Sequence, residues 1–330
     1  MDFPTVFIGA SKEYGGFENH IPAPYIRKNF NLDYEPAEPR LLICGLGYYR
    51  VFINGKEITK GPLAPYTSNP DDYTYFDKYD LKGLIKKGEN AIGIILGNGM
   101  TNGFDGYVWD FDTAKHRGAP RVALSIFDEA KEEDNCLLTA DTAFKTHPSP
   151  ILFDSLRCGV IYDARLEIEG WCEPGFDDSE WANCVIAEMP RGKAKICECE
   201  PIVVSKELKP VSVTKHMDGY LYDFGVNYAG VTRIKIKGER GQTITVDHGD
   251  WLHRGLFSTE NYNRFYPEGY SQKTVYTLKG GGEEVFVPSF TYYGFRYAYV
   301  TGITEEQATE DLLTYLVMHS DLKEVGGRSE

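Results

Sequence analysis

Between residues 40 and 59 the chain reads RLLICGLGYYRVFINGKEIT, the stretch that most restricts how it can fold. An apolar run gives way to alternation through Tyr49, Val51 and Ile53, and Asn54-Gly55 then separates Ile53 from Lys56-Glu57-Ile58. Asn-Gly supplies two residues that tolerate positive φ, which a two-residue turn between antiparallel strands requires. The stretch therefore predicts two strands and a hairpin.

Strand patterns dominate the rest of the chain. NAIGIILGNG, residues 90–99, is a continuous apolar run of the kind that lies in a sandwich core. In TRIKIKG and QTITVDH apolar and polar residues alternate, as in a sheet with one wet face. Gly280-Gly281-Gly282 breaks the chain between two strands. Helix signals are short: SEWANC at 179–184, and TEEQATEDLL at 304–313, where Thr304 and Gln307 resemble a capping box. No internal repeat is visible. A composition shift at 190–210, rich in Pro and mixed charge, places a domain boundary near residue 200. The expected fold is all-β: two β-sandwich domains of jelly-roll type in series, residues 1–200 and 201–330.

Tyrosine is abundant, with 23 residues against four tryptophans. Its apolar ring and polar tip suit half-buried strands as well as sugar-contacting surfaces. VPSFTYYGFRYAYVTG, residues 287–302, concentrates Tyr292, Phe295, Tyr297 and Tyr299, with Gly294 suggesting a bulge or a close backbone approach. Cross-strand packing accounts for these rings without a ligand.

The formal net charge is −14, and no basic run exceeds a pair such as Lys86-Lys87. Nucleic acid and anionic membranes are excluded as expected partners, because both need clustered Lys and Arg. No stretch approaches the ~20 apolar residues of a membrane span. The start, MDFPTVFIGASKEYGG, lacks a signal peptide's basic and apolar regions. With seven irregularly spaced cysteines, the expectation is reduced thiols in a cytoplasmic protein.

Reaction motifs are missing: no G-x-S-x-G elbow, no phosphate loop, no H-E-x-x-H. His248 and His253 flank GDWL at a spacing that invites a metal pair, although solvated loop residues explain them better. Glycoside hydrolysis needs two carboxylates roughly 5–10 Å apart across a sugar. Acid pairs such as Asp71-Asp72, Asp177-Asp178 and Glu283-Glu284 are sequence neighbours that point to opposite faces of a strand. No catalytic pair is nominated.

Two polar-aromatic loops remain. Residues 98–120 have no periodicity, and a loop this long is usually functional or mobile. Asn98, Asn102, Asp105, Tyr107 and Trp109 supply the amides, carboxylate and flat rings of a carbohydrate site. In YTSNPDDYTY, residues 66–75, Asn69, Asp71 and Asp72 could ligate calcium through oxygen. Solvated turns with core-anchoring aromatics are the simpler reading of both. A third loop, 250–270, carries Trp251, Phe257, Tyr262 and Phe265 and is expected to be sensitive to proteases or to cover a partner.

APYIRKNF, RLLICGLGYYRVFINGK, LAPYTSNPDDYTYFDKYDL, GENAIGIILGNG, YDARLEIEGWCEPGFDDSEW, LKPVSVTK, YDFGVNYAG, YTLKGGGEEVFVPSFTYYGFRYAYVTG and VMHSDLKEVG follow one another in the order seen in bacterial α-L-rhamnosidases. From about Pro22 to Gly326 the chain resembles that family. The resemblance implies a galactose-binding-like jelly roll, then a concanavalin-like β-sandwich that packs beside a catalytic (α/α)6 barrel. That barrel carries the acidic catalytic residues and follows the segment resembling HSDLKEVG, so no catalytic residue of the family has a counterpart here. The family's tryptophan after G-x-G is Met100 here. The resemblance also implies a rhamnose-containing saccharide as partner, with calcium in the jelly roll of some relatives. The expected role is the non-catalytic N-terminal portion of such a hydrolase. Alternatives are a free-standing carbohydrate-binding protein or a docking scaffold.

Overall fold

The computed structural model describes residues 2–103, 113–260 and 266–322. Its first sandwich stacks two sheets. One runs in the order Val185–Ala187, Phe7–Gly9, Arg121–Asp128, Pro39–Leu46, Tyr73–Asp80, Lys193–Ile196, with Cys136–Thr139 beside Arg121–Asp128. The other runs Ala182–Asn183, Lys145–Pro148, Pro24–Leu32, Gly88–Gly97, Tyr48–Ile53, Lys56–Glu57. Their facing sides supply the core: Leu41, Ile43, Val51, Ile53, Ile92, Ile94, Leu96, Val122, Leu124 and Ile126. The Asn-Gly hairpin is present, with φ of 50° at Asn54 and 83° at Gly55. Asn54 does more than turn the chain: its Oδ1 accepts from the Ala91 amide at 2.7 Å and its Nδ2 donates to the Leu84 carbonyl at 2.8 Å.

Strand Gly88–Gly97 is apolar from Ala91 onward because that part is covered on both faces. Ile92, Ile94 and Leu96 face the first core. On the other face, a Cβ at Gly93 would stand 2.8 Å from the Trp171 ring, and one at Gly97 would stand 2.4 Å from the Phe290 ring. Glycine at these two positions lets the rings seat directly on the strand.

The second unit is one ten-stranded sheet that curls into a sandwich. Its main order is Ile151–Ser155, Gly159–Asp163, Lys273–Thr277, Thr243–Gly249, Tyr293–Thr301, Gly219–Lys237, Leu313–Ser320, Ile202–Leu208. Ser212–His216 and Glu283–Phe286 pair with opposite ends of the 19-residue strand Gly219–Lys237. That strand changes register between Asp223 and Tyr228, with Gly225 at φ 74°, so its two halves serve both layers. The irregularity expected at Gly294 therefore belongs to its partner strand: a Cβ at Gly294 would meet nothing within 4 Å. Phe295 stacks on Tyr315 at 3.9 Å, and Tyr222, Ile234, Val246, Val300 and Leu313 complete the core.

The hairpin Ile151–Ser155 and Gly159–Asp163 lies in the chain's first 200 residues, yet it joins the second sheet through a parallel pairing with Lys273–Thr277. Around it a buried cluster joins the units, with Phe290 of the second seated on Gly97 of the first. Tyr25 stacks on Trp171 at 4.2 Å, Phe52 meets Trp171 edge-on at 5.4 Å, and Tyr48, Ile95 and Phe290 belong to the same buried cluster as Tyr222. Neither short helix forms. Residues 178–181 turn into the strand Ala182–Asn183, and 304–312 turn into Leu313–Ser320. Gln307 does accept from the Thr304 amide at 3.0 Å, as in a capping box. Its Nε2, however, donates to the Lys237 carbonyl at 2.9 Å, and burial of Leu312 and Leu313 draws the chain back to the sheet.

Candidate carbohydrate site and the cleft between the sandwiches

The loop that follows strand Gly88–Gly97 begins by turning inward. Asn98 is 6% exposed and Asn102 1%. The Asn98 amide N–H donates to Asp154 Oδ2 at 2.7 Å, and its side-chain Nδ2 donates to the Asp154 carbonyl and Oδ1 at 3.0 and 3.1 Å. Asn102 Nδ2 donates to Asn98 Oδ1 at 2.8 Å and to the Gly15 carbonyl at 3.1 Å, while its Oδ1 accepts from Arg117 Nε at 3.0 Å. Both side chains spend their N–H donors inside the protein. The structure brings these two residues together, but to pin the loop to the hairpin carrying Asp154, with no face open to a sugar. Asp105, Tyr107 and Trp109 lie outside the described residues.

Asn69, Asp71 and Asp72 share an exposed turn. Asn69 Oδ1 accepts from the Asp71 amide at 3.1 Å, and Asn69 Nδ2 donates to Asp72 Oδ2 at 2.8 Å. Arg191 and Lys193 line the same shallow surface. Calcium takes six to eight oxygens. The turn brings the three expected side chains together, with Asn69 Oδ1 already accepting one hydrogen bond and two cations alongside. Among the described residues no group of three His, Cys, Asp or Glu side chains gathers as a metal site. His248 is no ligand either. It is fully buried, its Nδ1 faces the Gln272 carbonyl at 3.0 Å and its Nε2 faces Thr232 Oγ1 at 3.0 Å, while its ring stacks on Tyr293 at 4.3 Å. Burial lowers its pKa to about 3, so it stays neutral. His253 packs against Trp251 at 5.3 Å.

An apolar opening among the described residues was not visible in the sequence. A cleft of about 510 Å³ lies between the sandwiches, walled by Tyr48, Leu63, Tyr66, Met100, Tyr292 and Met318. Tyr66 is 53% exposed and Tyr292 45%. The Lys60–Asp77 ion pair, at 3.0 Å, sits on its floor. Segments far apart in sequence build it, among them 48–67, 77, 100, 197–202, 292 and 318–320. Such a convergence has no local signature. The surface tyrosine in APYTSNP is the only hint.

Among the carboxylates, Asp247 is pushed up from the ordinary range by burial, against the opposing pull of Lys273 at 3.6 Å and Ser271 Oγ at 2.6 Å. Sequence reasoning had no means of finding it, since burial of strand Thr243–Gly249 sets the shift. The aromatic loop after it packs in part on neighbouring strands. Phe257 stacks on Tyr299 at 5.4 Å and its amide donates to His216 Nε2 at 3.0 Å. Tyr262 and Phe265 lie outside the described residues.

Residues 34–206 match the family model described as the alpha-L-rhamnosidase N-terminal domain, and residues 214–319 match the bacterial alpha-L-rhamnosidase concanavalin-like domain. The chain belongs to the α-L-rhamnosidase family. It is 32% identical over 315 residues to an alpha-L-rhamnosidase of Formosa agariphila, covering 92% of this chain and 32% of the relative. Among solved structures, the alpha-L-rhamnosidase of Dictyoglumus thermophilum superposes with a TM-score of 0.81 at 31% identity, over 96% of this chain and 36% of that one. The Streptomyces avermitilis enzyme, solved with L-rhamnose, gives 0.82 at 28% identity, over 92% and 29%. The chain thus spans about a third of the rhamnosidases it matches, and the portion it matches is non-catalytic.

Proposed function

We propose that this chain is the β-sheet platform of an α-L-rhamnosidase: it supports a hydrolytic domain of the same enzyme and contributes to holding a rhamnose-containing saccharide. One observation carries the reading: two rhamnosidase domain models match end to end, in relatives about three times as long. The geometry supports it. The cleft offers exposed Tyr66 and Tyr292 beside Met100 and Met318, a surface suited to the apolar side chains of a neighbouring domain or to the flat face of a sugar. The relative solved with L-rhamnose supports the sugar arm of the proposal. Calorimetric titration with L-rhamnose and a rhamnose-bearing oligosaccharide separates the two arms. Binding that weakens in Tyr66→Ala and Tyr292→Ala keeps the sugar in the cleft. No heat at millimolar sugar removes saccharide binding from this chain and leaves support of the hydrolytic domain.

A further inference from the structure

A second cavity, of about 530 Å³, opens on the flank of the first sandwich, away from the residues that wall the cleft. Among the described residues Lys12, Lys115, Arg117, Arg121 and Arg191 line it, against the carboxylates Asp71 and Glu188. In a chain of net charge −14 this local excess of cations runs against the overall field.

Arg121 marks the site. It opens strand Arg121–Asp128 and is 8% exposed. Its Nη1 donates to the Ala119 carbonyl at 3.3 Å, and its buried Nε has no hydrogen-bond partner. Glu188 and Asp71 act on it through the field, and burial lowers its pKa from the ordinary value. Arg27 shows how this protein otherwise treats a buried guanidinium. It too is fully buried, but it pairs with Asp178 and donates to Asn29 and to the carbonyls of Trp171, Glu173 and Phe176. A buried guanidinium with so few partners is costly, and an anion in the cavity offsets that cost through its terminal nitrogens.

We propose that this cavity binds an oxyanion, a carboxylate, sulfate or phosphate group, with the Arg121 fork as the inner donor and Lys12 and Arg191 at the exposed rim. Planar guanidinium suits such oxygens in bidentate fashion. Tyr14, 42% exposed on the same wall, supplies a flat ring beside the anion, so the oxyanion can be one carried by an acidic sugar. The inference does not rest on sugar binding in the cleft.

The test is calorimetric titration at low ionic strength with four probes: methyl glucuronide, a sulfated glucose, inorganic sulfate and the neutral methyl glucoside. The charged probes are expected to bind, more weakly as salt is added, and the neutral glucoside is not. Tighter binding of the sugar-borne anions identifies an acidic saccharide as the ligand. Equal binding of inorganic sulfate identifies the free oxyanion. Arg121→Gln and Arg191→Ala should each weaken binding about tenfold. Glu188→Gln, which removes a repelling carboxylate, should tighten it. Arg191 and Glu188 are exposed, so their variants keep the test decisive if Arg121→Gln does not fold. Absence of binding by every anion at millimolar concentration would overturn the proposal. So would affinities indifferent to Arg191→Ala and Glu188→Gln.

Discussion

At the scale of single residues, the side chains that matter most to this fold are buried polar groups with distant partners. Arg27 ties strand Pro24–Leu32 to the loop 171–178 through contacts 144 to 151 positions away. Replacing it by Met strands Asp178 and three carbonyls. The expected loss is about 3 kcal/mol, discounted from the fully buried case because Asp178 is partly exposed, and denaturant unfolding measures it. His248 makes stability depend on pH. Its folded pKa of about 3 lies below the unfolded value of 6.5, so between those limits the unfolded chain takes up a proton that the folded chain refuses. Stability is then full above 6.5 and falls as pH drops towards 3, by about 1.4 kcal/mol per pH unit from this residue. A urea series run down that window should show a shallower decline in His248→Gln. An equal decline would assign the effect to other groups. Asn54-Gly55 was legible because its chemistry is local to the turn. Arg27, Arg121 and Asp247 were not, because their roles come from burial by segments far away in sequence.

At the scale of elements, strands were readable wherever alternation or continuous apolarity set the pattern, and the short helices were not. SEWANC and TEEQATEDLL carry helix-like starts, but burial of their last residues, Cys184 just after the strand Ala182–Asn183 and Leu313 at the start of Leu313–Ser320, captures the chain before a turn can propagate. The hairpin Ile151–Asp163 is the least legible element. Parallel pairing between Gly159–Asp163 and Lys273–Thr277 spans more than a hundred residues and leaves no trace in either segment alone. Its consequence is testable. Residues 1–200 expressed alone lose the partner strand and uncover Tyr162, which packs on Tyr276 and Phe286, and Phe153, which packs on Tyr270. That product should aggregate or bind a hydrophobic dye, whereas the whole chain should not. A soluble, monomeric 1–200 with native-like tertiary signals would show that the hairpin does not need the second sheet.

At the scale of the molecule, one buried cluster runs from Tyr25, Tyr48 and Ile95 of the first sandwich to Tyr222, Phe290 and Phe295 of the second, and Phe290 seats on Gly97, so the sandwiches form one structural body. Calorimetry should therefore record one unfolding transition, with van't Hoff and calorimetric enthalpies in agreement. Two resolved transitions would mean that the cluster is weak. The order of domains and the family were legible from many ordered segments. The cleft and the cationic cavity were not, since the cleft needs both sandwiches in place and the cavity gathers loops far apart in the sequence of the first. The reaction itself belongs, on this reading, to a part of the enzyme outside these 330 residues. An assay of the chain on an aryl α-L-rhamnoside tests that most directly. Turnover no faster than the buffer blank is expected, whereas turnover well above it that is abolished by Asp247→Asn would contradict it.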